Sequence, residues 1–81
     1  MWPKHITNPA QADEWYSTLM GNLIFYRKEA GIRQEGIAKA LGVTRPQISN
    51  METVRSRITA KQIDLWCKAC GISVTDVWPQ P

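Results

Sequence analysis

The stretch GVTRPQISN, residues 42–50, gathers hydrogen-bonding side chains around a single Ile. Arginine can bond bidentately to the edge of a guanine, and asparagine can do the same with an adenine. The ring of a proline and the methyl group of a threonine can touch the methyl group of a thymine. Few of these polar groups can pair with one another inside so short a segment. The stretch therefore predicts a surface that binds a partner outside the chain.

Helical geometry divides this stretch into two unlike halves, because successive residues turn by about 100°. The outward half holds Arg45, Pro46, Ser49 and Asn50, with Gln47 at its border. The opposite half holds Ile48, Met51 and Glu52, and its two apolar residues are expected to anchor the helix to a core. A merely solvated polar face is the alternative that the residues leave open.

Two cysteines, Cys67 and Cys70, have the spacing of a Cys-x-x-Cys redox motif. A reactive pair normally begins a helix that follows a strand, where the helix dipole lowers the thiol pKa. Here TAKQIDL precedes the pair and places it late in a helix, so we expect buried, unreactive thiols. A zinc site would need two more ligands, and the only histidine is His5, which suits a surface or capping position.

No further set of residues predicts catalysis. The chain has no Gly-rich phosphate loop, and one histidine near the N-terminus cannot complete a Ser/His/Asp or Cys/His set. Asp13 and Glu14 are adjacent, so they point in different directions on a helix and are better explained as favourable charge near its N-terminus. We therefore expect no enzyme, no cofactor and no metal.

The length of 81 residues fits one domain with a compact core. No apolar run approaches the roughly 18 residues needed to span a bilayer. The polar beginning of the chain does not resemble a signal peptide, and two cysteines suit a reducing compartment, so a cytoplasmic protein is expected.

Positive charge is concentrated in the middle of the chain. Residues 27–68 hold nine Lys/Arg and four Asp/Glu, a net charge of +5 against +3 for the whole chain. A localised basic region favours an anionic partner. An ordinary basic surface would carry the same charge, and the composition alone does not separate the two.

Four segments have the spacing of a helix N-terminal cap, and three glycines follow apolar-periodic runs as helix stops. The caps are NPAQ at 8–11, TRPQ at 44–47, TAKQ at 59–62 and SVTD at 73–76, and the stops are Gly31, Gly42 and Gly71. They predict helices over residues 9–30, 34–41, 45–53, 60–70 and 74–78, with a break considered near Gly21. No segment alternates convincingly at period two, so the predicted fold is all-α.

The second and third predicted helices are each about two turns long, and only Gly42, Val43 and Thr44 separate them. Gly42 can adopt the left-handed conformation that so tight a turn needs. Val43 can fill the angle between the helices, and Thr44 can cap the third. This is the helix-turn-helix pattern, whose second helix is free to enter the major groove of DNA.

The segment QEGIAKALGVTRPQISNMET, preceded by YRKEAGIR, resembles the Cro/lambda-repressor-type (XRE-like) helix-turn-helix family of phage repressors and bacterial regulators. The resemblance covers about residues 19–78. Its motifs are Gln34, Ala38 and Gly42 in the second helix and turn, Ile48 and Glu52 in the third helix, and Gly71-Ile72-Ser73 after the fourth. It implies a five-helix, lambda-repressor-like domain that binds operator DNA as a dimer.

The resemblance and the placement of the basic residues assign roles to individual side chains. Base contacts are expected from Thr44, Arg45, Pro46, Gln47 and Asn50. Phosphate contacts are expected from Arg33, Gln34, Ser49, Arg55 and Arg57, although the two loop arginines could instead be solvated. A semi-buried ion pair between Arg27 and Glu52 should clamp the first helix to the third.

Two positions depart from the family pattern. Arg33 stands where the family often has a Ser or Thr cap, so the cap of the second helix should be weak. Thr53 stands where a Gly is frequent, so the exit from the third helix should be altered.

Apolar residues outside the helix-turn-helix predict a second surface. Four Trp in 81 residues is a high number, and Ile24, Phe25 and Leu65 lie where the family is commonly polar. We interpret residues 1–18 as an N-terminal extension, 19–78 as the DNA-binding domain and 79–81 as a short tail. The residues predicted for a dimer interface are Trp15, Ile24, Phe25, Leu65 and Trp78. A local core within one monomer is nearly as well supported.

The sequence therefore predicts a small transcriptional regulator of phage, prophage or bacterial origin that binds an inverted-repeat operator in the bacterial nucleoid as a homodimer. The alternative is an antitoxin, or another regulator with this fold that binds a protein partner. Restriction–modification controllers are similar in size and fold, and the sequence does not separate them. A single-stranded RNA binder would need exposed aromatic residues near the basic face, which the sequence lacks.

Overall fold

The computed structural model describes residue 6 and residues 8–80, which form five helices and, within that part of the chain, no strand. The helices are α1 (Pro9–Glu29), α2 (Gln34–Leu41), α3 (Arg45–Glu52), α4 (Ala60–Cys70) and α5 (Val74–Val77). The all-α prediction is confirmed. His5, for which a surface or capping position is expected, lies outside the described residues. Of the proposed N-terminal extension (residues 1–18), residues 1–5 and 7 also lie outside them, whereas residues 9–18 form the first part of α1.

The observed helix boundaries correct the predicted ones in four places. Helix α1 continues through Gly21, so the break considered there is wrong, and it ends at Glu29. Helix α3 ends at Glu52, because Thr53 already has the non-helical dihedral angles of a C-cap. Helix α5 ends at Val77, because Trp78 is extended before Pro79. The boundaries of α2 and α4 are as predicted.

Local capping explains why the helices begin where they do. The Asn8 side chain accepts a hydrogen bond of 3.0 Å from the Gln11 backbone N–H, and a proline occupies the first turn of α1. Helix α4 begins with a reciprocal box between Thr59 and Gln62. At α2 the capping position is Arg33, whose side chain makes no cap hydrogen bond, as the departure from the family pattern predicts.

All five helices contribute side chains to one core, and α2 packs against both α3 and α4. The most deeply buried large side chains of the core are Leu19, Met20, Leu23, Ile37, Ile48, Trp66, Cys67 and Val77. The Trp66 indole N–H donates a 3.0 Å hydrogen bond to the Leu23 carbonyl, so this core tryptophan has its polar atom satisfied. Ile48 and Met51 are both buried, which anchors α3 through one face and leaves its other face outward.

An ion pair between Arg27 of α1 and Glu52 of α3 adds a polar link to this apolar anchor. The Arg27 Nε and Nη2 atoms donate to the two Glu52 carboxylate oxygens at 2.8 and 3.2 Å. The remaining Nη1 donates to the Ile32 carbonyl at 2.9 Å. Both side chains are nearly buried, 10% and 9% exposed. The fork geometry holds the start of α1's last turn against the end of α3.

Candidate nucleic-acid interface

The turn between α2 and α3 fixes the direction in which α3 leaves the core. Gly42 adopts the left-handed backbone conformation, with φ of 71°, which would be strained for a residue with a side chain. The half-buried Val43 packs against the core, and its backbone N–H donates to the Ala38 carbonyl at 2.9 Å. Thr44 then caps α3, because its side chain accepts from the Gln47 backbone N–H at 3.3 Å.

The outward side of α3 forms what we term the recognition face, which consists of Thr44, Arg45, Pro46, Gln47, Ser49 and Asn50. Five of these residues are exposed and Ser49 is half-buried. Pro46 lies in the first turn, where no intrahelical N–H bond is lost, so α3 is not broken. The face therefore combines side chains suited to base edges with a backbone that the core holds from behind.

The residues of the recognition face differ in how many of their side-chain donors and acceptors are already used in hydrogen bonds within the chain. The Gln47 Oε1 atom is occupied, because it accepts from the Thr44 backbone N–H at 2.7 Å and from the Thr44 hydroxyl at 3.2 Å. The Asn50 side-chain amide makes no hydrogen bond to the described residues. Asn50 thus presents both a donor and an acceptor, which is the pair that an adenine edge can use.

Arg45 is not a free guanidinium. Its Nε atom lies 3.2 Å from Oε1 of Glu35 in the first turn of α2, and the two side chains remain 58% and 64% exposed. Sequence reasoning missed Glu35, because the contact joins two helices across the turn and no spacing within one helix indicates it.

Gln34 occupies a different environment from the one the resemblance implies. Its side-chain Nε2 donates to Oε1 of Glu52 at 2.9 Å, which adds α2 to the link between α1 and α3. In this arrangement the amide supports the ion pair. The predicted phosphate contact would have to use the remaining hydrogen-bonding capacity of that amide.

The two arginines in the loop after α3 have different surroundings. Arg55 is exposed and pairs with no carboxylate among the described residues. The Arg57 guanidinium instead lies 4.4 Å from the centre of the Tyr16 ring, and its Nη2 is 3.5 Å from the Asp13 carboxylate. The Tyr16 hydroxyl accepts from the Ile58 backbone N–H at 2.8 Å and reaches the Ser56 carbonyl at 3.4 Å, so α1 holds this loop.

These environments predict unequal salt effects for the two arginines. Each phosphate contact contributes about 0.9 to the slope of log K against log salt concentration. We expect Arg55→Ala to reduce the slope by about that amount on operator and random duplexes alike. Arg57→Ala should reduce it less, because Asp13 already neutralises Arg57. Fluorescence anisotropy titrations at several salt concentrations measure both slopes, and an equal loss for the two variants would contradict the distinction.

The chain leaves α3 through a strained residue. The sequence pattern placed the position that favours glycine at Thr53, and the structure places it one residue later, at Val54. Val54 has φ of 61°, the left-handed region that β-branched residues rarely adopt. The Arg55 N–H reaches back to the Asn50 carbonyl at 2.8 Å and the Val54 N–H to Met51 at 3.1 Å, the bonds of a Schellman cap. The position that favours glycine is therefore Val54, and Thr53 keeps an ordinary φ of −92°.

We expect Val54→Gly to raise the free energy of unfolding by about 1 kcal/mol, since relief of the left-handed strain exceeds the entropy cost of glycine. Thr53→Gly is the matched control and should lower it, because Thr53 donates to the Ser49 carbonyl at 2.9 Å and needs no left-handed backbone. Urea denaturation measures both. Stabilisation by Thr53→Gly and not by Val54→Gly would contradict this assignment.

The aromatic residues divide into a packed group and an exposed one. Trp15 is 7% exposed and meets Trp78 edge to face, with ring centres 4.7 Å apart. This packing within one chain matches the local-core alternative and leaves Trp15 little surface for a partner. Phe25, in contrast, is 56% exposed beside Tyr26, and Ile24 and Leu65 are half-buried.

The two cysteines are free thiols, Cys67 buried and Cys70 half-buried. Burial is the largest of the effects that raise the pKa of Cys67 to about 11, followed by the neighbouring Cys70. Burial also raises the pKa of Cys70, while Arg27 opposes the shift. Both shifts disfavour the thiolate that redox chemistry requires.

Residue 6 and residues 8–80 contain no group of three or more His, Cys, Asp or Glu side chains that could hold a metal ion. Over the same residues, no helix is long and apolar enough to cross a membrane.

Comparison with known proteins identifies the same region of the chain. A family model described as "Helix-turn-helix" matches residues 23–77, about two thirds of the sequence. That span begins within α1, includes the recognition face and ends with α5. Comparisons with curated proteins and with solved structures give no significant match.

Proposed function

Because the chain belongs to the Cro/lambda-repressor-type (XRE) helix-turn-helix family, we propose that it represses transcription by covering an operator as a dimer. Members of this family are regulators that bind double-stranded DNA, and the family is not an enzymatic one. What the proposal adds is sequence-specific binding of an inverted repeat in the cytoplasm of a bacterial host, in competition with polymerase or another regulator.

The observation that carries this proposal is the recognition face of α3. It is polar and outward, while Ile48 and Met51 bury the opposite side of the same two turns. Arg45 and Asn50 supply the side chains best suited to guanine and adenine, and Thr44, Pro46 and Gln47 border them. The exposed Arg33 and Arg55 lie before α2 and after α3, where phosphate contacts would set the register on the duplex.

We include a dimer in the proposal because the recognition face of α3 is small. One recognition helix contacts only a few base pairs, and two-fold dimers extend the site to two half-sites about one DNA turn apart. We place the dimer contact at Ile24, Phe25 and Leu65, because Phe25 is the most exposed large apolar residue among those described. Sedimentation over a concentration series tests it, and a monomer at every concentration would exclude this dimer in the free protein.

The decisive test of specific binding is selection of bound duplexes from a random DNA pool at near-physiological salt, followed by sequencing. Enrichment of an inverted repeat is the expected result. Weak binding that fades steeply with salt and enriches no sequence would contradict specific recognition, because phosphate contacts alone behave in that way. That outcome would favour the antitoxin-like alternative, in which a protein partner determines the function.

A further inference from the structure

Glu35 is an acidic residue placed beside the surface that we propose binds DNA. Its carboxylate lies 3.2 Å from Nε of Arg45, and the contact spans the turn from α2 to α3. A negative charge in this position repels phosphates and lowers the affinity for every sequence. An exposed ion pair of this kind contributes little to folding stability.

The chemistry of the guanidinium suggests what the contact does. Arginine has five N–H donors in one plane, and an ion pair in which the carboxylate lies nearest Nε leaves both terminal amino groups available. Those two groups are the ones that can donate in parallel to O6 and N7 of a guanine. A guanidinium whose position is restricted by an ion pair also loses less side-chain entropy when it binds.

We propose that Glu35 is a positioning residue that orients Arg45 for a guanine. It weakens binding to all DNA and strengthens the preference for the correct base. The inference rests on the proposed function, since it assigns a role to Arg45 in reading the operator. The alternative role that the experiment must distinguish is stabilisation of α2, because an acidic residue in the first turn of a helix interacts favourably with the helix dipole.

The experiment uses the operator obtained by selection and the position whose base preference is lost in Arg45→Ala. Affinities are measured for duplexes with G·C or A·T at that position, and for random duplex. A bidentate arginine contact predicts that the wild type favours G·C by roughly 5- to 150-fold. In Glu35→Gln this ratio should fall at least about threefold while binding to random duplex tightens.

Asp64→Asn is the matched control. It removes an equally charged carboxylate, with 50% of its side chain exposed, that pairs with Lys68 on α4 at 2.9 Å, and it leaves the contact of Glu35 with Arg45 intact. We expect it to leave the G·C to A·T ratio unchanged. The ¹⁵N chemical shift of Arg45 Nε in the free protein should change in Glu35→Gln and not in Asp64→Asn.

The possible outcomes separate this inference from the function on which it rests. A guanine preference that survives in Glu35→Gln, or an Arg45→Ala variant that loses no base preference, overturns the positioning role alone. A lower thermal midpoint with an unchanged ratio assigns Glu35 to the helix dipole and also overturns it. Failure of the wild type to enrich any sequence overturns the proposed function and this inference together.

Discussion

Replacing Glu52 by Gln is expected to lower the free energy of unfolding by about 3 kcal/mol, because it leaves the Arg27 charge buried without its counter-ion. Glu52 accepts two hydrogen bonds from Arg27 and one from Gln34, and its side chain is only 9% exposed. A domain of this size has a total stability of roughly 5–15 kcal/mol. The variant should therefore lose a large fraction of the stability of the domain and remain folded at moderate temperature.

Urea denaturation followed by tryptophan fluorescence measures this loss. Glu29→Gln removes the same charge from an exposed position at the end of α1 and should change stability by less than about 0.5 kcal/mol. The double variant Arg27→Met/Glu52→Leu should recover much of the loss, because neither residue then leaves a buried charge. A loss below about 1 kcal/mol in Glu52→Gln would show that water reaches the pair and screens it.

Asn50→Ala is expected to weaken operator binding by about 1–3 kcal/mol and to relax the preference for adenine at one position of each half-site. The Asn50 amide makes no hydrogen bond to the described residues, so its removal should not disturb the fold. Alanine is also the better helix former, which keeps α3 intact. The expected loss is therefore one of recognition and not of structure.

Competition binding with operator and random duplexes measures this effect as a ratio. Arg55→Ala supplies the comparison, because removal of a phosphate contact should weaken both duplexes similarly and leave their ratio unchanged. If Asn50→Ala weakens operator and random duplex by equal factors, then Asn50 does not read a base. The recognition face would in that case need to be placed elsewhere on the domain.

The sequence predicted most of the fold because its signals are local. The cap spacings at Thr44 and Thr59 and the glycine stops at Gly42 and Gly71 each act within a few residues, so they predict helix boundaries directly. The burial of Ile48, Met51 and Trp66 follows from helical periodicity. The break considered at Gly21 was wrong because a single glycine lowers helix stability without ending a helix whose neighbours are well packed.

The contacts that the sequence did not predict join residues in different elements. The pairing of Arg45 with Glu35, and of Arg57 with Asp13 and Tyr16, depends on how neighbouring helices and loops approach each other. The left-handed conformation of Val54 could not be predicted from residue propensities either, because valine rarely adopts a positive φ. The Arg27–Glu52 contact was anticipated only through the resemblance to a known family, since 25 residues separate the two.

The Tyr16 hydroxyl makes the loop that carries Arg55 and Arg57 part of the helical framework. A segment that is already ordered before an encounter with DNA surrenders little conformational entropy when its charges meet phosphates. Its contacts can then contribute to affinity nearly in full, and association need not wait for the loop to fold. The buried Tyr16 hydroxyl thus keeps the loop ordered, so that under the proposed function its arginines meet a duplex without a cost of ordering the loop.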